Sequence, residues 1–370
     1  MTTFYEGYGV RRVINASGRM TALGVSTIQD EVGRALVAAA QNYVVIDELI
    51  DRVGELISTH TGAEDSCVTS SASAAICMSV AGIITKGELT LVERIPDTQG
   101  LRNEVVIQKG HAVHFGAPIP QMIRLGGGVP VEAGYATLVK KEHILGAITD
   151  KTAALMYVKS HHSVQEGMVS LPDMIEIAHS HGLPILVDAA AEEDLRKYVA
   201  MGADLVCYSG AKAIEGPTSG FVTGRRELIA WTKAQYKGIG RPMKVGKDNM
   251  MGLVKALELY EKKDLTAYEA RQEAIVEELL EGFQGIPHIR CEKSVDEAGR
   301  RIFRARVDVL PSCPLCAQEV ADRLKAGSPA VYTRDHYLNV GSIYFDPRPM
   351  LPGDAEAVIA KMKAILAGTP

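Results

Sequence analysis

Three short, mostly apolar runs, Ala153–Val158, Pro184–Asp188 and Asp204–Ser209, are separated by stretches of helical periodicity. This alternation constrains the fold more than any other feature of the chain. A strand too apolar to alternate must be covered on both faces, and strand–helix–strand repeats supply that cover in an open, mostly parallel sheet. Leu171 to His181 reads as one covering helix, with Pro172 in its first turn and Gly182 just past its end. Asp188 and Ser209 close their runs with polar side chains, and ligands of such sheets bind beyond the carboxyl ends of the strands.

Further along, the pattern changes. A long helical stretch, roughly Lys247 to Glu281, carries Leu253, Ala256, Leu257 and Tyr260 at helical spacing. Arg301 to Val309 alternates like a half-buried strand, and Pro314–Lys325 and Gly353–Leu366 read as amphipathic helices. A chain of 370 residues suits one large and one small domain. The expected division is an N-terminal arm over 1–55, a large α/β domain over 56–250, and a small α+β domain with antiparallel strands over 251–370.

Composition removes several classes of function. The net charge is −5 and no basic stripe is visible, which opposes a nucleic-acid partner. The six cysteines are scattered; Cys313 and Cys316 have the spacing of half a zinc site, but no second pair follows. Neither a disulfide framework nor a metal is therefore expected. The N-terminus lacks the apolar core of a signal peptide, and no run reaches the ~18 apolar residues of a membrane span. A cytoplasmic protein with no membrane partner is expected.

Three separated features carry chemistry. In Thr69-Ser-Ser-Ala-Ser-Ala-Ala75, the small residues Ser70, Ser71, Ala72 and Ser73 let backbone N–H groups approach a phosphate. A helix beginning at about Ala72 would aim its positive end there; a plain N-cap explains the same residues equally well. Asp188, at the end of an apolar strand, is placed to pair with a protonated pyridine nitrogen, although a carboxylate there can also be a simple cap. Ser209-Gly-Ala-Lys212, followed by Gly216 and Gly220, sets a lysine past a strand in a loop of small residues. That is the setting of a lysine holding pyridoxal 5′-phosphate (PLP) as a Schiff base, with Ser209 near the cofactor phosphate. The order of these features is more specific than any one of them. A dinucleotide-binding fold is disfavoured, because Gly126-Gly-Gly128 precedes Val-Pro and no G-x-G-x-x-G opens an early helix.

Val13-Ile-Asn-Ala-Ser-Gly18, Pro184–Asp188, Asp204–Lys212 with Gly216-Pro217 and Ser219-Gly220, and Arg241–Lys247 resemble segments of one known family. It is the bacterial selenocysteine synthase (seryl-tRNA selenium transferase) group of fold-type I PLP proteins, and the likeness runs from about residue 11 to 365. The resemblance implies an α/β, aspartate-aminotransferase-like fold with a mostly parallel, seven-stranded type of sheet and a small C-terminal α+β domain. It also implies a homodimer or larger homo-oligomer. Departures point away from tRNA. The family's N-terminal tRNA-binding domain has no counterpart in this sequence, Ala211 replaces an Asp, Ser70-Ser71-Ala72 replaces an Asn-rich loop, and His114 replaces a glutamate near the ring. The branch most resembled is that of the D-glucosaminate-6-phosphate ammonia-lyases. This implies a small phosphorylated substrate and loss of ammonia to give 2-keto-3-deoxygluconate 6-phosphate. A selenium or sulfur transferase, or a lyase or aldolase on another β-hydroxy amino acid, are the alternatives.

The resemblance extends to further residues. The group stacking on the pyridine ring comes from the region of His111 and His114. His161 and His162 follow the strand ending at Val158, where an imidazole suits a general acid or a hydrogen bond to the ring oxygen. Lys212 is the expected base. Arg334 is the candidate for the substrate carboxylate, with Arg348 a second whose Asp346-Pro-Arg348 setting reads as a salt-bridged turn. Arg19 is the candidate for the substrate phosphate, along with Arg241 and Lys244.

Overall fold

The computed structural model describes residues 4–114, 116–160, 163–295 and 301–367. Contacts divide the chain into one unit of residues 28–262 and another of residues 1–27 with 263–370. Strand β1 (Val13–Ala16) belongs to the second unit. The first holds β2 (Asp65–Thr69), β3 (Glu104–Gln108), β4 (Val129–Ala133), β5 (Thr152–Val158), β6 (Ile185–Asp188), β7 (Leu205–Ser209) and β8 (Gly220–Gly224).

These seven strands form one sheet in the order β2-β8-β7-β6-β5-β3-β4. β8 is antiparallel to β2 and β7, and the other pairings are parallel. The apolar runs become its centre. All seven residues of β5 are buried, and from Ala154 onward they alternate between two cores. Leu155 and Tyr157 pack with Ile57, Met174, Ile177 and Leu253 from the helices Ile46–Thr61, Leu171–Ser180 and Lys247–Glu261. Met156 and Val158 pack with Ile76, Met78, Leu228 and Ile229 from the helices Ala72–Thr85 and Arg226–Ala234. Period-2 geometry survives within a run that shows no alternation of polarity.

The second unit adds β9 (Ile289–Val295), β10 (Phe303–Val309), β11 (Ala330–Thr333) and β12 (Ser342–Phe345). β12, β10 and β9 form an antiparallel sheet, as the alternation in 301–309 predicts, and β1 pairs with β11 in parallel. Val276, Leu279, Phe283, Leu324, Phe345 and Met362 fill its core.

Two boundaries fall elsewhere than the sequence suggests. Residues 28–55 join the large sheet rather than an arm, because the helix Asp30–Ala40 packs along Lys247–Glu261 and the helix Ile46–Thr61 packs on β2. The single helical stretch expected over 247–281 is two helices, Lys247–Glu261 and Leu265–Phe283, so the division falls at 262/263 and not near 250. Asp264 starts the second by accepting a hydrogen bond from the Ala267 N–H at 3.0 Å. The apolar periodicity runs on through this break, so periodicity alone does not register it. No described helix is long and apolar enough to cross a membrane.

Candidate active site

Strand register gathers the three sequence features on one edge of the sheet. Thr69, the last residue of β2, lies opposite Gly220 of β8, and Gly220 lies opposite Ser209, the last residue of β7. Asp188, the last residue of β6, pairs with Cys207 on one side and with Val158 of β5 on the other. The small-residue loop, the strand-end aspartate and the lysine loop thus emerge together, beyond the carboxyl ends of the parallel strands.

The small-residue loop is tightly specified. Thr69 Oγ1 donates to the Ser71 carbonyl at 2.8 Å, and the Ser70 N–H donates to the Met243 carbonyl at 3.2 Å. Ser71 Oγ accepts from the Ala74 N–H at 3.1 Å and caps the helix Ala72–Thr85. The cap reading therefore holds for this hydroxyl. The N–H groups of Ala72 and Ser73, in the first turn, have no acceptor four residues back in the helix and point at whatever lies before it. Ala72 is buried, Ser70 and Ser71 are half-buried and Ser73 is exposed. Gly220 makes this arrangement possible: a Cβ there would lie 2.3 Å from the Ser71 carbonyl carbon and 2.5 Å from the Ala72 nitrogen.

The lysine loop is closed on itself. The Gly210 N–H donates to Ser219 O at 2.9 Å, and the Gly216 N–H to Gly210 O at 2.8 Å. A Cβ on Gly210 would lie 2.2 Å from Ser219 Oγ. Burial holds the Lys212 ammonium pKa below its ordinary value, against the opposing pull of the Asp188 charge. An amine so placed is neutral, and nucleophilic, more of the time than an exposed lysine. Asp188 is buried; desolvation raises its carboxyl pKa, while the Ala190 N–H, donating to Oδ1 at 3.0 Å, and the Lys212 charge act to lower it. Ser209 is half-buried beside them, its N–H donating to Ala190 O at 3.3 Å.

A family model described as L-seryl-tRNA selenium transferase (SelA) matches residues 13–281. The chain belongs to this family. Within it, a D-glucosaminate-6-phosphate ammonia lyase of Salmonella typhimurium is 48% identical over 362 residues, 98% of this chain and 97% of that protein. A 5′-C-glycyluridine monooxygenase-decarboxylase of a Streptomyces species is 39% identical, over 99% of this chain and 92% of that one. A solved structure of a D-glucosaminate-6-phosphate ammonia-lyase matches with a TM-score of 0.93 at 46% identity, covering 99% of this chain and 100% of that chain. An aspartate aminotransferase of Thermus thermophilus matches at 17% identity, with a TM-score of 0.56, over 98% of this chain and 94% of that one. The fold of this SelA-family chain is thus the aspartate-aminotransferase fold type I read from its sequence.

The other candidate residues lie as follows. His114 is exposed in the segment after β3, where its backbone bridges to Pro118. His111 is fully buried, and its Nδ1 accepts from the Val158 N–H at 3.2 Å. Desolvation pushes its pKa down to about 4, so it is a neutral tie between β3 and β5. His161 and His162 lie outside the described residues. In the second unit, Arg19 Nη2 donates to the Tyr268 hydroxyl at 3.1 Å. Arg19 and Arg334 follow the same ends of the paired strands β1 and β11, where Ala16 lies opposite Thr333. Arg348 grips both oxygens of the buried Asp346, at 2.9 and 2.7 Å, as the turn reading holds.

The chain's own residues fit PLP. A buried carboxylate ends the central strand, a lysine of depressed pKa stands within reach of its charge, and a helix start lies beside a glycine where any side chain would close the space. A cavity of about 1070 Å³ opens at the other, amino edge of the sheet, lined in part by Thr152, Pro184, Asp204, Arg225 and Trp231. Among the described residues, none of the predicted site residues borders it. Sequence reasoning missed Gly220's close approach and the acidic Glu192-Glu193-Asp194 run just past Asp188. The run itself was a visible signal.

Proposed function

We propose that this chain is a PLP-dependent carbon–nitrogen lyase that removes ammonia from D-glucosaminate 6-phosphate. The observation that carries the reading is the 48% identity to such a lyase, which extends over nearly the full length of both proteins. Bound to Lys212, PLP would supply a sink for the electron pair left when the substrate Cα loses its proton. Asp188 would hold a proton on the ring nitrogen. The Ser70–Ser73 loop and Ser209 would take the cofactor phosphate, with His114 against the ring. Lys212, whose ammonium pKa is lowered by burial, would remove the Cα proton. The C3 hydroxyl leaves as water only if an acid protonates it, and His161, His162 or Lys212 serves. Arg334 and Arg19 are assigned to the substrate carboxylate and phosphate. The protein works as a homo-oligomer without nucleic acid, in the cytoplasm.

A second reading has a specific observation behind it: 39% identity over almost the whole chain to a monooxygenase-decarboxylase. That reaction consumes oxygen, whereas the lyase reaction does not. Purified holoprotein given D-glucosaminate 6-phosphate is expected to release ammonia and a 2-keto-3-deoxy acid in equal amounts without oxygen uptake. It should also show an absorbance band near ~420 nm that is lost in Lys212→Ala. Neither product, from this or a panel of amino sugar acids and β-hydroxy amino acids, would remove the lyase assignment. Oxygen uptake with release of carbon dioxide would favour the second reading.

A further inference from the structure

The cavity at the amino edge of the sheet has two unlike ends, both built within the first unit. Its polar end is organised by Asp204, just before β7, whose side chain is only 3% exposed. Asp204 Oδ2 accepts from the Ile185 N–H at 2.9 Å, which fixes the carboxylate to the start of β6. His179 Nε2 lies 2.9 Å from Oδ2, and Arg225 Nη1 donates to Oδ1 at 3.1 Å. The backbone adds to this grip. The Arg225 N–H donates to the Asp204 carbonyl at 3.0 Å, and a Cβ on Gly224 would lie 2.0 Å from that oxygen. One buried carboxylate thus holds an imidazole and a guanidinium whose side chains stay 45% and 54% exposed, and all three residues line the cavity. Among the described residues, only one of the five side-chain donors of Arg225 is used.

The other end is apolar. Ile83 and Ile84, near the end of the helix Ala72–Thr85, are buried, as is Leu228, and the half-buried Trp231 completes this wall. Arg225, Leu228 and Trp231 follow one another at intervals of three, so one face of the helix Arg226–Ala234 runs from the polar end to the apolar one. Six residues of helix span about 9 Å, the reach of a fused-ring molecule. The acids of the lining are already engaged or stand apart. Glu64 Oε2 accepts from the Arg226 N–H at 3.0 Å, Glu88 Oε1 accepts from the Thr90 hydroxyl at 2.8 Å, and Glu227 stays 4.0 Å from Arg225. The side chains of Lys86 and Arg102, also on the lining, have no hydrogen bond or ion pair among the described residues. The groups with donors to spare are therefore cations.

We infer that this cavity is a second binding site, for an organic anion with a fused-ring body: the head meets Arg225 beside His179, and the rings lie along Leu228 against Trp231. Its volume of about 1070 Å³ is ample for such a molecule. A guanidinium held in place by a buried acid is pre-organised to meet a carboxylate, sulfonate or phosphate, and an indole face takes a ring. None of these residues belongs to the proposed catalytic site, so the inference stands apart from that reading.

The test titrates the PLP-loaded protein with 8-anilinonaphthalene-1-sulfonate, a fused-ring anion, and with N-phenyl-1-naphthylamine, which has the same rings and no charge. Trp231 is the chain's one tryptophan, so its emission reports on this cavity. The sulfonate is expected to bind saturably, once per chain, to quench Trp231, and to bind about tenfold more tightly than the neutral amine. Arg225→Gln should abolish that preference, and Arg225→Lys should keep most of it. Equal affinities of the two probes for wild type would overturn the inference, as would sulfonate binding that leaves Trp231 emission unchanged. So would the absence of binding, the outcome if a second copy of the chain covers the cavity. Should Arg225→Gln fail to fold, the comparison of the two probes on wild type decides alone.

Discussion

Asp188 stands where a carboxylate is least welcome, buried at the end of a central strand. Burial raises its pKa from 3.8, so the folded chain binds this proton more tightly than the unfolded one. Its contribution then favours folding most below about pH 4 and is lost as the pH climbs past 3.8 toward the raised value. At neutral pH the cofactor-free protein carries this as a cost, and a ring-bound proton would offset it. Asp188→Asn keeps an acceptor for the Ala190 N–H and removes the charge. The cofactor-free variant is expected to melt above wild type at pH 7, by about 3 °C, with the gap closing near pH 4. Activity of the loaded enzyme should fall by about 100-fold or more. Calorimetry across pH checks the first and ammonia release the second. A cofactor-free variant that melts lower at pH 7 would mean that Asp188 is held by partners stronger than its burial cost.

At the scale of elements, the site depends on one close approach. Gly220 begins β8 where the Ser70–Ala72 loop crosses it, and a methyl group there would lie 2.3 Å from Ser71 backbone. Gly220→Ala is expected to cost about 1–3 kcal/mol, the usual range for overpacking, and to weaken PLP binding at least tenfold by displacing the loop. Gly146→Ala is the control. That glycine lies in the helix Lys141–Ala147 with nothing within 4 Å of an added Cβ, and the substitution should stabilise by up to about 1 kcal/mol. Denaturant unfolding and PLP titration of the two variants measure both signs; equal effects would mean that the Gly220 contact yields without strain. The central strands β5, β6 and β7 were legible because their apolar runs are bounded by polar ends. That Asp188 would close a strand and Lys212 would follow one in a loop of small residues was legible from the same runs. The helix break at Lys262–Asp264 was not, because Leu253 and Val276 belong to separate cores that a single periodicity cannot distinguish. Gly220's contact with Ser71 was hidden for another reason: it depends on strand register that spacing does not encode.

For the whole molecule, fold alone does not decide the reaction, since an ammonia lyase and a monooxygenase-decarboxylase match this chain over nearly all of its length. What distinguishes such relatives must lie in side chains and, in the proposed homo-oligomer, in what copies of the chain would contribute to one another. One surface bears on the second point. Tyr43, Val44 and Val45, between the helices Asp30–Ala40 and Ile46–Thr61, and Ile46, which opens the second, are all exposed, Tyr43 completely so at 103%. Four consecutive apolar side chains in water are an unfavourable surface for a lone subunit, and covering them favours association. Lys247 lies over the Tyr43 ring at 5.3 Å and donates to the Asn42 carbonyl, so the loop is held in place rather than folded inward. The proposed homo-oligomer should use this loop. Tyr43→Asp together with Val45→Asp is expected to shift the mass measured by light scattering toward the single chain, at 39.8 kDa, at concentrations where wild type remains associated. Far-ultraviolet circular dichroism should stay unchanged. Wild type that already elutes as a single chain would exclude the oligomer, and a variant that stays fully associated would place the interface on another surface.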